Sequence, residues 1–416
     1  MNNSNIIKQN ITVKYKIAIV VCWYGKWPWY FKLFIHSVKF NPTVDFIIIT
    51  DEVVIVELPL NIKIVYKTLD EIKNLASKKL LLNVSIERPY KLCDFKPVYG
   101  LIFEDFLTNY DFWGHGDLDI IFGNIRHFIT DELLEKNDFI SVRHDFITGF
   151  FALFRNDFKM KTLFMKSKDY KEVLTTERHF CFDECNFLHN LLKKNLPIEQ
   201  LTSEIESMEH VVRKLMKTGY ITAHYDFLIV ESDPGKLRWQ NGKLFYKEKY
   251  EALFYHLIRF KKLPYLIVPS LKIIPDLFYI HKSSISVFKP KSFKGTIERY
   301  KINAKTFSYK LNIKLKWIIE NSISLFPKNK IKQNYIKHIG LYKMNNTVIN
   351  IAITTNRSEL FIIDGLEVFP LKHVFNLKYL STNAGYRVIF YLGKHPHLIM
   401  ENVFDYGFDK QVYYKL

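Results

Sequence analysis

The sequence predicts an α/β fold built on a largely parallel sheet, followed by a basic helical segment and a small strand-rich carboxyl-terminal region. Three observations predict it. Apolar runs of strand length alternate with segments of helical spacing, basic residues crowd one later stretch, and apolar alternation returns near the end. A chain of 416 residues with 48% hydrophobic and 16% aromatic content exceeds one average domain, and the units expected are 12–262, 263–344 and 345–416.

Lys16 to Cys22 is an apolar run that empties into Trp23-Tyr-Gly-Lys-Trp-Pro-Trp29, where Gly25 and Pro28 mark a turn. Tyr30 to Lys39 has helical spacing and Asn41-Pro42 stops it. Asp45 to Asp51 is a second buried strand ending in an acid, Ile62 to Tyr66 a third, and Leu69 to Leu82 reads as a helix. Parallel sheets of this kind gather ligands at the carboxyl ends of their strands. Neither a Gly-x-Gly-x-x-Gly nor a Walker loop follows these strands, which disfavours a dinucleotide dehydrogenase or a P-loop enzyme. Tyr24, Gly25 and Asp51 stand where a base and a ribose would be met, and ordinary turn chemistry accounts for them equally well.

The segment Glu87 to Pro97 carries Arg88, Lys91 and Lys96, a cationic cluster able to face a diphosphate or simply to form a solvated basic face. Asp94, among hydrophobic neighbours, fits the second reading poorly. Val98 to Leu107 reads as a helix. Next comes Asp111-Phe-Trp-Gly-His-Gly-Asp117-Leu-Asp119-Ile-Ile-Phe-Gly-Asn124, the most informative stretch of the chain. Alternation on an extended backbone points Asp117 and Asp119 to one side, and two crowded carboxylates repel unless a cation holds them. Hard oxygen ligands suit Mg2+ or Mn2+, so the pair reads as a metal-diphosphate clamp. Gly114, Gly116 and Gly123 are expected to let the backbone approach a ligand.

Further strands are expected at 139–142 and at Thr148 to Asn156, with Gly149 permitting close approach by a sugar. Asp183 and Glu184 precede the apolar helical stretch Phe187 to Leu192. Asn241-Gly242 is a two-residue hairpin turn. Tyr250 to Phe260 reads as helical or extended, and its His256, taken alone, is an ordinary histidine of an amphipathic helix.

The net charge of +18 is unevenly placed: Arg259 to Lys343 holds 19 Lys or Arg against the acids Asp276, Glu298 and Glu320. Within it, Thr306 to Phe326 sets Phe307, Leu311, Leu315, Ile318, Ile319 and Leu325 at helical spacing, with Lys310 and Lys314 off the stripe and Trp317 as an anchor. Such a helix lies on an anionic membrane surface or packs on a neighbouring domain. No apolar run is long enough to span a bilayer, and the polar Met1 to Asn10 carries no secretion signal. Cys22, Cys93, Cys181 and Cys185 form no Cys-x-x-Cys pair and read as buried free thiols. A cytoplasmic location is expected, with peripheral attachment to the inner membrane face as its extension.

Taken together, Val20-Val-Cys-Trp-Tyr-Gly25, Asn41-Pro42, Ile49-Thr-Asp51, Tyr90-Lys-Leu-Cys-Asp-Phe-Lys-Pro97, Phe112 to Gly123, Thr148-Gly149 and Tyr255-His256 resemble a family of bacterial glycosyltransferases encoded with capsule and O-antigen polysaccharide genes. The resemblance covers about residues 15–262. It implies a GT-A-like catalytic domain, a Rossmann-like mostly parallel sheet, with a nucleotide-diphospho-sugar donor, UDP-linked by expectation, and Mn2+ or Mg2+. The acceptor implied is a cell-surface polysaccharide or lipid-linked glycan. It further implies Asp117, Asp119 and His256 as metal ligands, Arg88, Lys91 and Asp94 against the donor sugar and phosphates, and Tyr24 and Asp51 on the nucleoside. His115 departs from the pattern. Asp183 and Glu184 are the expected bases for an acceptor hydroxyl, or caps of the following helix.

Two rivals compete. Haloacid-dehalogenase-type phosphotransferases or phosphatases also use Asp-x-Asp at a strand end, but on their first strand. A non-enzymatic binder of nucleic acid or membrane would use the basic segment; the near-neutral remainder and the lack of a binding motif argue against nucleic acid.

Overall fold

The computed structural model describes residues 13–322, except 233–234, 264–265, 269–272 and 291, and the strands of a barrel between 340 and 415; side chains are described to 309 and at 311. The chain divides into two compact units, 1–303 and 304–416.

In the first unit, the strands in chain order begin with β1 (Ile17–Trp23), β2 (Val44–Thr50), β3 (Ile62–Tyr66), β4 (Phe112–Gly116), β5 (Ile120–Phe122), β6 (Phe139–Ile140), β7 (Phe151–Arg155) and β8 (Ala223–His224). Seven of them make one sheet in the order β3-β2-β1-β4-β7-β6-β8. Only β7 runs against its neighbours; every other pairing is parallel. Continuous apolar runs form the inner strands β1 and β2 because both faces are covered. Ile17, Ile19 and Val21 enter one core with Phe34, Phe46 and Phe122, while Ala18 and Val20 enter the other with Ile72, Phe95 and Trp113. Helix α1 (Phe31–Lys39) supplies Phe34 to the first core, and α2 (Leu69–Leu80) supplies Ile72 to the second. A capping box between Thr68 and Glu71 starts α2.

The expected helix from Val98 to Leu107 is instead two single turns, Tyr99–Ile102 and Glu104–Leu107, interrupted at Phe103. Packing decides this: a Cβ at Gly100 would lie 2.3 Å from Trp113 Cε2, so the chain follows the indole rather than one helix axis. Tyr250 to Phe260 resolves as extended, giving β12 (Tyr250–Ala252) and β13 (Phe254–His256).

Two smaller sheets complete the unit. β10 (Leu237–Gln240) and β11 (Lys243–Tyr246) form the expected hairpin, with φ +48° at Asn241 and +80° at Gly242 as a tight two-residue turn requires. β14 (Leu277–Ile280) and β15 (Ile285–Ser286) extend that sheet. The third sheet orders β5-β13-β9, with β9 at Val230–Glu231. Of the basic segment expected over 263–344, the part before Phe293 therefore holds strands, and the helix runs over Phe293–Ser322. Pro275, just before β14, cannot join a helical ladder. The side chains at Lys310, Lys314, Lys316 and Trp317 lie outside the described residues, as do Met1 to Asn10. Among the described residues, no helix is long and apolar enough to cross a membrane.

The second unit is a closed barrel of β16 (Gly340–Met344), β17 (Asn350–Asn356), β18 (Glu359–Asp364), β19 (Glu367–Phe375), β20 (Lys378–Ser381), β21 (Tyr386–Tyr391), β22 (His397–Asn402) and β23 (Lys410–Lys415). Each strand pairs antiparallel with the next, and β16 closes on β23. Closure leaves no exposed strand edge.

Candidate active site

β4 ends at Gly116 and β5 begins at Ile120 in a different sheet, so Asp117-Leu118-Asp119 is the crossing between two sheets. The two acids thus sit on a turn beyond the carboxyl end of a parallel strand, not on the strand as alternation predicts. Leu118 is buried and pins the turn. The β5–β13 pairing sets Ile120 opposite His256, and the Leu257 amide donates to the Asp119 carbonyl at 2.8 Å. Ligand atoms of Asp117, Asp119 and His256 consequently lie within 4.8 Å of one another.

Asp119 and His256 are buried, Asp117 is part-exposed, and the charges of the cluster are matched. His256 Nε2 is 3.3 Å from Asp119 Oδ2, and Lys261 Nζ is 2.8 Å from the same oxygen. Burial alone would raise the Asp119 pKa; His256 and Lys261 outweigh it and hold the carboxyl well below the usual carboxylate range. Burial likewise opposes charge on His256, but Asp119 and then Glu231 carry its pKa up to about 9. Lys96 Nζ donates to Asp117 Oδ1 at 2.7 Å and stands 4.0 Å from Asp183 Oδ2. Against burial, the Asp117 charge keeps Lys96 protonated far above its ordinary range.

Asp183 is 4% exposed, and burial, reinforced by Glu184, pushes its carboxyl well above the carboxylate range despite Lys96. Gly149 makes room for it: a Cβ there would lie 2.1 Å from Asp183 Oδ2. The close approach expected of a sugar is thus made by a side chain of the protein itself. Gly114 and Gly123 serve the same kind of packing, their Cβ positions falling 2.4 Å from the Ala152 carbonyl oxygen and 2.5 Å from that of Ala252.

Glu184 is fully engaged. Gly149 N donates to its Oε1 at 2.6 Å, His189 Nε2 is 2.6 Å from Oε2, and Cys181 Sγ is 3.4 Å away. Burial raises its pKa, yet the His189 bond and charge and the Gly149 amide together hold it down at about 2. Of the two expected bases, Asp183 borders Lys96 and the metal-type cluster, while Glu184 anchors the loop beneath.

Lys91 and Asp94, expected against the donor sugar and phosphates, are turned into the interior. They pair at 2.9 Å with both side chains almost fully buried. Asp94 also accepts from the Phe180 amide at 3.0 Å and the Phe182 amide at 2.9 Å, and Lys91 donates to the carbonyls of Val173 and Arg178. Their bonding capacity is spent on holding the strand of backbone that presents Asp183. Arg88 lies at the surface within 3.5 Å of Glu177. Tyr24, half-buried, has burial raising its phenol, Gly25 adopts φ +92° with open space about it, and Asp51 is exposed just past β2. His115 is buried inside β4, where burial and then Lys96 push it down to about 3 and keep it neutral.

Lys261, Glu231 and Arg143 escape sequence reading. The only signal for Lys261 is its place on a basic turn just after His256; Glu231 depends on strand register, and Arg143 on a loop contact with Glu231.

The family model that matches residues 19–289 is a family of unknown function, DUF6625. The chain belongs to that family. The matched span contains every residue of the cluster just described. No curated protein matches the chain. Solved structures with some likeness include a galactosyltransferase, LgtC, in complex with donor and acceptor sugar analogs, at 10% identity and a TM-score of 0.28, covering 51% of this chain and 75% of that one. An active-site mutant of LgtC gives the same values. The glycosyltransferase GlyE of Streptococcus pneumoniae TIGR4 is 12% identical with a TM-score of 0.26, covering 51% of this chain and 45% of that one.

Proposed function

We propose that this chain is a metal-dependent glycosyltransferase of GT-A type that moves a sugar from a nucleotide-diphospho-sugar to a glycan or lipid-linked glycan of the cell surface. One observation carries the reading: Asp117, Asp119 and His256 converge beyond the carboxyl end of a parallel strand, flanked by Lys96 and Lys261. Two carboxylates and one imidazole form a donor set that suits Mn2+ better than Mg2+, because nitrogen ligation is foreign to the harder ion. A divalent cation held there would neutralise the charge that develops on the diphosphate as the glycosidic bond breaks.

The chain's own groups divide the remaining work. Lys96 and Lys261 are cations beside the cluster that now bind the carboxylates of Asp117 and Asp119, and with a metal held there each would be able to meet a phosphate oxygen instead. Asp183, 4.0 Å from Lys96 and beside the cluster, is the carboxylate placed to take the proton of the acceptor hydroxyl when configuration inverts. Tyr24, Gly25 and Asp51 receive the nucleoside at the ends of β1 and β2, and Gly149 sets how near Asp183 comes. The basic segment, with Phe293, Tyr300 and Phe307 exposed along its helix, holds the enzyme peripherally on anionic lipid at the cytoplasmic face.

The test is a melting-temperature panel of UDP-, GDP- and CMP-sugars with and without Mn2+. A diphospho-sugar at 100 times its Kd should stabilise the fold by about 2.7 kcal/mol, only with Mn2+, and a CMP-sugar should not. Asp119→Asn should abolish that gain and slow transfer by roughly three orders of magnitude. Full activity of that variant at saturating Mn2+ refutes the reading.

A further inference from the structure

We infer that Glu231 is a positioning residue for His256, fixing the ring so that Nε2 faces the Asp117–Asp119 cluster, and that Arg143 holds Glu231 in place. This rests on the metal reading given above. The parallel register of β9 on β13 sets Glu231 directly beside His256, and the antiparallel register of β5 on β13 sets Ile120 on its other side. His256 and Glu231 thus come from adjacent strands of one small sheet, and Asp119 from the turn that leads into the third.

The contacts follow from that register. His256 Nδ1 lies 3.3 Å from Glu231 Oε1, and Nε2 lies 3.3 Å from Asp119 Oδ2. A ring with Nδ1–H donated to Glu231 offers the Nε2 lone pair to an ion, and the partner of a ligating histidine's second nitrogen is nearly always such a carboxylate, carbonyl or water. Phe150 packs on the ring at 4.1 Å between centroids and closes its remaining freedom. The other oxygen of Glu231 accepts from Arg143 Nη1, and Arg143 is braced in turn by Asp145 through a pair of bonds. Glu231 touches neither Asp117 nor Asp119, so its effect passes through the imidazole.

The decisive measurement is Mn2+ affinity of the purified full chain without donor, with ¹⁵N chemical shifts of His256 reporting which ring nitrogen carries the proton at a pH where the ring is neutral. Glu231→Ala should weaken Mn2+ binding roughly 10- to 100-fold and lose the Nδ1–H form. Glu231→Gln, which keeps an acceptor, should fall between the two. Arg143→Gln leaves Glu231 present but unbraced and should weaken Mn2+ by a smaller factor, which keeps the test intact should Glu231→Ala fail to fold. Wild-type affinity in Glu231→Ala or, failing that, in Arg143→Gln, while Asp119→Asn loses the ion, overturns the role of Glu231 and leaves the metal site standing. Absence of Mn2+ binding by the wild type overturns both.

Discussion

Lys261 donates to Asp119 at 2.8 Å on the same carboxylate oxygen that His256 approaches at 3.3 Å, so the acid is already countered by two cations before any ligand arrives. A divalent ion must compete with them. Lys261→Met should therefore tighten Mn2+ binding to the free protein while slowing transfer by roughly a hundredfold, because a preorganised cation is lost from the developing diphosphate charge. Metal titration beside steady-state kinetics reads both signs; weaker Mn2+ binding would show that Lys261 supports the cluster rather than competes for it.

Asp94 ties the 180–182 backbone through two amides, and Lys91 is neutralised by it in the interior. Asp94→Asn should strand a buried ammonium, an error of about 3–5 kcal/mol, and lower melting temperature together with activity. Replacing both members, Lys91→Met with Asp94→Asn, should recover part of the stability. Unchanged melting in the single variant would return Asp94 to the donor side of the site.

Glu184 supplies an acid limb to the stability curve. Its folded pKa is depressed to about 2, so its contribution is complete above the unfolded value and is lost as pH falls from about 4.5 through 2. Glu184→Gln should be less stable than wild type at pH 7, with the difference closing toward pH 3. Urea titrations at the two pH values check it, and a difference that widens in acid contradicts the assignment.

The basic segment makes a salt-dependent prediction. Near-surface lysines are worth about 1 kcal/mol each on anionic lipid and act within a Debye length. The chain should sediment with anionic vesicles at low salt, release at high salt, and ignore neutral ones. Charge reversal at Lys310, Lys314 and Lys316 should weaken sedimentation without lowering melting temperature. No binding to anionic vesicles at low salt refutes membrane attachment.

What could be read from sequence follows from which forces act locally. β1 and β2 were legible because strands covered on both faces are continuous apolar runs, and Asn241-Gly242 because its turn needs positive φ. Val98 to Leu107 misled because the indole of Trp113, not the helical period, shapes that backbone. Asp117, Asp119 and His256 could be named from the residues and the resemblance they carry. Glu231 could not, because a two-residue strand such as β9 leaves no periodic trace and its value lies wholly in its register against β13. Lys91 and Asp94 showed the opposite failure: their spacing drew attention, but burial spent their charges on the backbone.

The crossing from β4 into β5 has a consequence for how the protein is born. β5 finds its partner only in β13, more than a hundred residues later, so its edge stays unpaired on the ribosome until that strand emerges. Such distant pairing slows folding and exposes an apolar edge meanwhile. Ile120, Ile121 and Phe122 are therefore apolar residues that wait for a partner, and Asp119 and His256 cannot come together until synthesis has passed β13.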